Sequence, residues 1–465
     1  MTIRPSRSTP AAAGIPEAAI GDFVSELDRI GGVHSVVVVR AGAVVAEAAW
    51  HPYRVDEPHT LFSVSKSVTS LAVGLAIDEG LFALDDRIVD LLPEDVPEHP
   101  QPRLRDLRVE HLLTMTSGHA ADTVEPFGRT LGRSETNWVR AILALPIDLE
   151  PGTRFVYNSG ATYLLSAIVQ RHARQRLTDY LESRLFRPLG IERPTWEQCP
   201  RGVDVGGWGL SLRPLDMAVI GQLLLQRGEW QGRQLVPSAW VDAATSRHVD
   251  CRNDDLGEDW AMGYGYQFWR TRHGAYRADG AWGQYILVWP QEDMVVALTA
   301  GEPHMELEIT AIWTTLLGRL DAAPDEPLAG EPFGRPDLVV PLPRGAAGHV
   351  PRRHYTAMPN AARIESMTLA PGEGGVAITF VRAGEVHRIR AAHGRWSPGR
   401  SAVGGVEEPV AASYAIGADG AVDVHVLFTR TAFRWVITLA AGGGRIEHTV
   451  AFGALLVAEL ERVVV

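Results

Sequence analysis

The sequence predicts an α+β fold in two units: an antiparallel sheet flanked by helices and carrying a mostly helical lobe, then a small all-β, barrel-like unit. Three observations predict it. β-Rich runs near residue 40 and between residues 264 and 299 bracket a long helical stretch. A segment with Pro324, Pro327, Pro332, Pro336, Pro341 and Pro343 then breaks the periodicity. Beyond it, seven or more short strand-like runs are joined mostly by tight turns. The expected division is residues 1–322, a linker at 323–345, and residues 346–465.

Taken in order, Glu17–Ile30 carries Ala18, Phe23, Val24, Leu27 and Ile30 near helical spacing, with Gly31 as its stop. Val36–Arg40 and Val44–Trp50 read as a hairpin around Ala41-Gly42-Ala43. Val64–Glu79 is helical and strongly apolar, which places it inside the molecule. Residues 104–225 are mostly helical, most clearly at Ala161–Arg174 and Pro214–Gln226. Strands are expected at Tyr264–Arg270, Gly274–Arg277, Tyr285–Trp289 and Met294–Thr299, then a helix at Met305–Leu320. The barrel strands are expected at Arg363–Leu369, Gly375–Val381, Glu385–Ala392, Val410–Ile416, Ala421–Arg430, Ala432–Ala440 and Arg445–Phe452.

Composition narrows the function classes. The formal net charge is −12 and no basic segment stands out, so nucleic acid is not the expected partner. No run of about 18 apolar residues offers a membrane span. The first 20 residues hold no unbroken apolar core of a signal peptide, so a cytoplasmic location is expected. Cys199 and Cys251 have no metal-ligand spacing and read as buried free thiols; no metal or cofactor is expected. His111, His119, His273 and His304 are scattered and form no constellation. Oligomeric state is not legible.

One residue stands apart. Lys66 is the single lysine among 44 basic side chains, the rest being arginine. Arginine keeps its proton at any accessible pH, whereas a buried lysine can release its own. Lys66 follows Ser63 by three residues at the entrance of the apolar helix, one turn along on the same face. A serine there has the helix dipole to help an oxyanion, and a lysine in hydrogen-bond reach to take its proton.

Two further segments fit acyl transfer. In Pro151–Gly160 a Pro-Gly turn precedes Tyr157, Asn158 and Ser159 at a helix entrance. A phenol beside a lysine ammonium is expected to have a depressed pKa and to serve as a general base. In Tyr276–Tyr285 the glycines allow close backbone approach on an edge strand, as an oxyanion donor requires. Asp279, Gly280 and Trp282 are the candidate substrate contacts there.

With these segments in this order, the chain resembles the class C β-lactamase-like and penicillin-binding-protein-like serine hydrolases over roughly residues 20–320. The resemblance rests on Ser63-Val64-Ser65-Lys66, residues 79–86, residues 112–118, Pro151–Gly160, residues 206–212 and the Gly280 segment. It implies Ser63 as acylated nucleophile, Lys66 as its activator and Tyr157 as general base and leaving-group acid. The backbone N–H groups of Ser63 and Ala281 would form the oxyanion hole. The implied substrate is a small ester, amide or peptide-like molecule. Two departures bear on it. The family's Tyr-x-Asn reads Tyr157-Asn158-Ser159, which leaves open which of the last two faces the substrate. The family's Lys-Thr-Gly or His-x-Gly reads Ala278-Asp279-Gly280, so the cation for a penicillin carboxylate is missing unless Arg277 reaches in.

Hydrolysis of an ester or amide is therefore expected over β-lactam hydrolysis. The alternatives are acyl transfer, including a penicillin-binding-protein-like peptide-cyclising thioesterase with a lipocalin-like second domain, and a non-catalytic binding protein on the same fold. The lone lysine at the serine's side speaks against the last.

Overall fold

The structure, a computed structural model, describes residues 5–124, 136–252, 257–320, 330–452 and 455–463. Helix α1 (Glu17–Ile30) ends at Gly31, whose left-handed backbone returns its N–H to Leu27. Strands β1 (Val33–Arg40) and β2 (Ala43–Ala49) follow. Their turn places Ala41 and Gly42 both at positive φ, the twist that suits a two-residue hairpin.

Helix α2 (Val64–Asp78) is buried on every face from Val64 to Ala76, as its unbroken apolar sequence requires. The lobe adds α3 (Ser159–Ala173) and α4 (Pro214–Leu225). Strands β3 (Trp269–Arg270), β4 (Tyr276–Gly280), β5 (Gln284–Trp289) and β6 (Met294–Ala300) complete the sheet, and α5 (Glu306–Thr315) closes the unit. The order is Ser6–Arg7, β2, β1, β6, β5, β4, β3. All pairs are antiparallel except Ser6–Arg7 with β2. Alternation splits the strands between two cores. Val37, Val39, Ile286 and Val295 face α2 and α4, whereas Val36, Val38, Leu287 and Val296 face α1 and α5.

The strand expected at Tyr264–Arg270 shrinks to two residues. Gln267 has positive φ, and Gly265 N–H bonds Phe268 O, so the chain folds back there. Residues 330–340, despite their prolines, run along the outer edge of β2. Phe333 exchanges backbone bonds with Val45 and Glu47, and Leu338 and Val340 do so with His51. The expected linker residues 323–329 lie outside the described residues.

The second unit is a closed barrel. Strands β7 (Arg353–Ala357), β8 (Ile364–Gly372), β9 (Gly375–Arg382) and β10 (Glu385–His393) form one meander. The hairpin strand β11 (Ser397–Ser401) leads into β12 (Glu408–Ile416), β13 (Val422–Phe428), β14 (Arg434–Leu439), β15 (Gly443–His448) and β16 (Leu456–Val463). Antiparallel β7–β16 pairing joins the ends, and a short parallel β10–β12 pairing closes nine strands, leaving β11 outside. Met367, Leu369, Ile378, Phe380, Val424, Ile437 and Ile446 fill the interior as a packed core.

The two units share apolar surface. Trp396, Ala411 and Leu427 of the barrel belong to the core that holds α1 and α5. Thr60 N–H donates to Arg430 O at 2.7 Å, and Arg430 pairs with Glu57 at 3.0 Å. Beneath this contact His34 bonds His59 at 3.1 Å and stacks on Tyr53. Among the described residues, no helix is long and apolar enough to cross a membrane.

Candidate active site

Ser63 sits at the N-terminus of α2, immediately after Phe62, whose φ of 47° is left-handed. Such a backbone costs a non-glycine residue about 1–2 kcal/mol, so its neighbours must hold it there. Ser65 Oγ donates to Phe62 O at 2.6 Å and accepts from Leu210 N–H, while Leu61 N–H bonds Leu210 O. The residue 206–212 segment thus clamps the chain just before and just after the serine.

Lys66, 1% exposed, directs its three protons at three fixed acceptors. They are Ser63 Oγ at 2.9 Å, Ser159 Oγ at 3.1 Å and Gly207 O at 2.7 Å. Burial lowers its pKa to about 8, against the pull of the Asp122 and Asp279 carboxylates. A neutral amine here keeps its contacts and offers a lone pair towards Ser63.

Tyr157 lies over the same spot. Its ring centroid is 4.8 Å from Lys66 Nζ, and it stacks on Trp269 at 5.7 Å. The depressed phenol pKa expected from the nearby ammonium is not what the structure produces. Desolvation pushes the phenol up, more strongly than the neighbouring Ser63 hydroxyl lowers it. The resting phenol is a proton donor, and the group poised near neutral pH is Lys66.

The question of Asn158 against Ser159 has a geometric answer. Asn158 is fully buried as the N-cap of α3, its Oδ1 accepting from Thr123, Gly160 and Ala161. It does not line the cleft. Ser159 does, and its hydroxyl meets Lys66.

Strand β4 brings the third segment. A Cβ at Gly280 would lie 2.2 Å from Leu61 O, so only glycine lets this strand approach the segment leading into Ser63. The strand is covered by β3 only at Tyr276 and Arg277, leaving its Gly280 end open beside the cleft. The turn that follows is held by buried Gln284, whose amide donates to Ala281 O, Trp282 O and Ala300 O. That fixes the backbone around Ala281, which lines the cleft. Trp282, expected to touch substrate, instead packs edge-on against Phe62 at 4.8 Å, outside the cleft lining. Arg277 does not reach in either. It is fully buried, bound to Asp279 at 3.0 Å and to Asp259 O at 2.7 Å. Asp279 lines the cleft, its carboxyl pushed up by burial and held down by Arg277.

The cleft encloses about 1070 Å³ around Ser63. Sequence reasoning missed three contributors. Asp122 accepts Ser159 N–H at 2.9 Å and favours the Lys66 charge; it stands alone in a loop with no periodic signal. Phe433 and Phe452 come from the barrel, more than 360 residues from the serine in sequence, and nothing local marks them as cleft residues.

A serine, a buried lysine, a tyrosine and a glycine-ended strand, set between an antiparallel sheet and a helical lobe, define a class of protein. A family model described as Beta-lactamase matches residues 17–316, more than half of the chain, and the chain belongs to that family. It is 26% identical over 289 residues to a 6-aminohexanoate-dimer hydrolase of Paenarthrobacter ureafaciens, covering 57% of this chain and 72% of that protein. It is also 26% identical over 376 residues to penicillin-binding protein 4 of Amycolatopsis lactamdurans, covering 70% and 92%. The crystal structure of SurE with D-Leu matches both units, covering 96% of this chain and 99% of that one, at a TM-score of 0.52 and 20% identity.

Proposed function

We propose that the protein is a serine hydrolase that works on a small ester or amide through an acyl-enzyme. The observation that carries this is the buried Lys66 amine, lowered to about 8, 2.9 Å from Ser63 Oγ. In its neutral form Lys66 takes the Ser63 proton as Oγ bonds to the substrate carbonyl carbon. The carbonyl oxygen becomes an oxyanion and accepts from the backbone N–H groups of Ser63 and Ala281. As the bond to the leaving group breaks, Tyr157 gives that group its proton and is reprotonated from the Lys66 ammonium. Water then attacks the acyl-enzyme, its proton passing to Lys66, and the acid leaves as Ser63 Oγ recovers a proton.

Beside Ala281 the cleft presents Asp279, with Ala278 where the family has its cation, which favours substrates without a carboxylate at that point. The division into a hydrolase unit up to residue 322 and a barrel from 346 belongs to the same reading. The test is labelling with a fluorophosphonate, followed by a panel of p-nitrophenyl esters, D- and L-amino-acid anilides, nitrocefin and a peptidyl thioester. Labelling should vanish in Ser63→Ala, and ester or anilide turnover should exceed that of nitrocefin. Undiminished labelling of Ser63→Ala would remove the nucleophile assignment. Added amine acceptors in the same assays separate hydrolysis from transfer.

A further inference from the structure

The cleft around Ser63 is lined from two aromatic groups, with no ring contact between them among the described residues. On the lobe side Tyr157 packs with Trp269 and Tyr264, and Phe155 joins the same two rings. The other group draws on both units. Phe62 and Trp282 meet Phe433 and Phe452 of the barrel, with Trp282 at 5.3 Å and 4.1 Å from the barrel rings. Phe62, Phe433 and Phe452 turn surface into the cleft beside Ala281 and Met305. Most of the cleft's charged side chains, Asp122, Arg154, Glu197, Asp250 and Arg252, come from the lobe, and the one on the Ala281 side is Asp279 of β4.

We propose that the barrel supplies an acyl-group subsite, in which Phe433 and Phe452 with Phe62 select a bulky apolar acyl chain, aromatic or branched. The proposal rests on the acyl-enzyme reading and names its substrate class. The direction follows from the four substituents of the attacked carbon. One is Ser63 Oγ, and the oxyanion turns to the N–H groups of Ser63 and Ala281. The leaving group must lie within reach of the Tyr157 hydroxyl on the lobe side. The acyl chain is left on the side of Phe62 and Ala281, where the aromatic wall stands. A ring placed there would pack against aromatic side chains, and aromatic pairs attract beyond simple burial. The wall is held in place relative to Ser63, because Thr60 N–H bonds Arg430 O and Arg430 pairs with Glu57.

The experiment compares p-nitrophenyl phenylacetate with p-nitrophenyl acetate in the full-length protein and in Phe433→Ala/Phe452→Ala. The ratio of kcat/KM values should favour phenylacetate in the wild type and fall by about tenfold or more in the double variant. A ratio that does not move overturns the subsite. Phe433→Leu/Phe452→Leu, which keeps apolar volume, guards against a folding defect and should lose part of the ratio. Binding of phenylacetamide to Ser63→Ala, followed by tryptophan fluorescence or calorimetry, gives a readout without chemistry. Affinity should drop when the two phenylalanines are removed, and unchanged affinity overturns the proposal. A wild type that hydrolyses neither ester and resists the fluorophosphonate removes the acyl-enzyme reading, and the phenylacetamide result still decides the subsite.

Discussion

Lys66 holds three acceptors in place and is still drawn down to about 8 by burial, so its charge changes within the working range of an enzyme. The ammonium form, dominant below that pH, cannot accept the Ser63 proton. Rate should therefore rise with pH through an apparent pKa near 8 and then level off, as read from kcat/KM between pH 6 and 10. A flat profile would show that another group is the base. Lys66→Arg should lose about 10²-fold or more in turnover, because guanidinium keeps its proton. Tyr157 leads to a different expectation. On the proposed mechanism the neutral phenol protonates the leaving group, so Tyr157→Phe should slow alkyl esters much more than p-nitrophenyl esters, whose phenolate departs unaided. Equal slowing of both would assign Tyr157 a packing role.

The entrance of α3 separates two neighbouring side chains by the direction they take. Asn158→Ala removes a buried acceptor of four hydrogen bonds and should cost about 2 kcal/mol or more in thermal or urea unfolding. Ser159→Ala should leave unfolding nearly unchanged and act on turnover, through Lys66. At β4 the expectation is steric. Gly280→Ala forces the strand away from Leu61, and turnover should fall by about 10²-fold while much of the stability remains. These elements were legible to unequal degrees. The helix at Glu17–Ile30, the first hairpin, and the serine–lysine turn follow from periodicity and local spacing alone. β7, β11 and β16 escaped notice: Arg353–Ala357 and Ser397–Ser401 are short and carry little apolar alternation, and Leu456–Val463 mixes Glu459, Glu461 and Arg462 into its run. The desolvation of Tyr157 escaped too: it is half-buried in the cleft wall, and its ring packs on Trp269 and Tyr264, more than 100 residues away in sequence.

For the whole molecule, the barrel is packed against the sheet unit too closely to be an independent appendage. Deleting residues 346–465 would expose the core around Val340 and Trp50, where Trp396, Ala411 and Leu427 pack, and would leave Thr60 N–H without Arg430. The expected outcome is a lower melting temperature and self-association, measured by scanning calorimetry and size-exclusion chromatography. A truncated chain that melts like the full one would reduce the shared core to a passive contact. The acid side has its own sign. His59 is held down at about 4 by burial, while its unfolded value lies near 6.5. The unfolded chain therefore takes up the proton first, and stability contributed by this contact is present above about pH 6.5 and is lost as pH falls towards 4. His59→Gln should flatten that part of the melting-temperature profile.

The closure of the barrel also orders events in time. β7 and β16 pair across some hundred residues of chain, so Phe433 and Phe452 find their places only when the last strand has joined the first. A ribosome completes the lobe, with its serine and lysine already side by side, well before it completes the wall. On the proposed reading the nascent chain passes through a stage in which the serine and lysine are neighbours and the wall is absent, and the barrel, made after the lobe, then adds the selectivity.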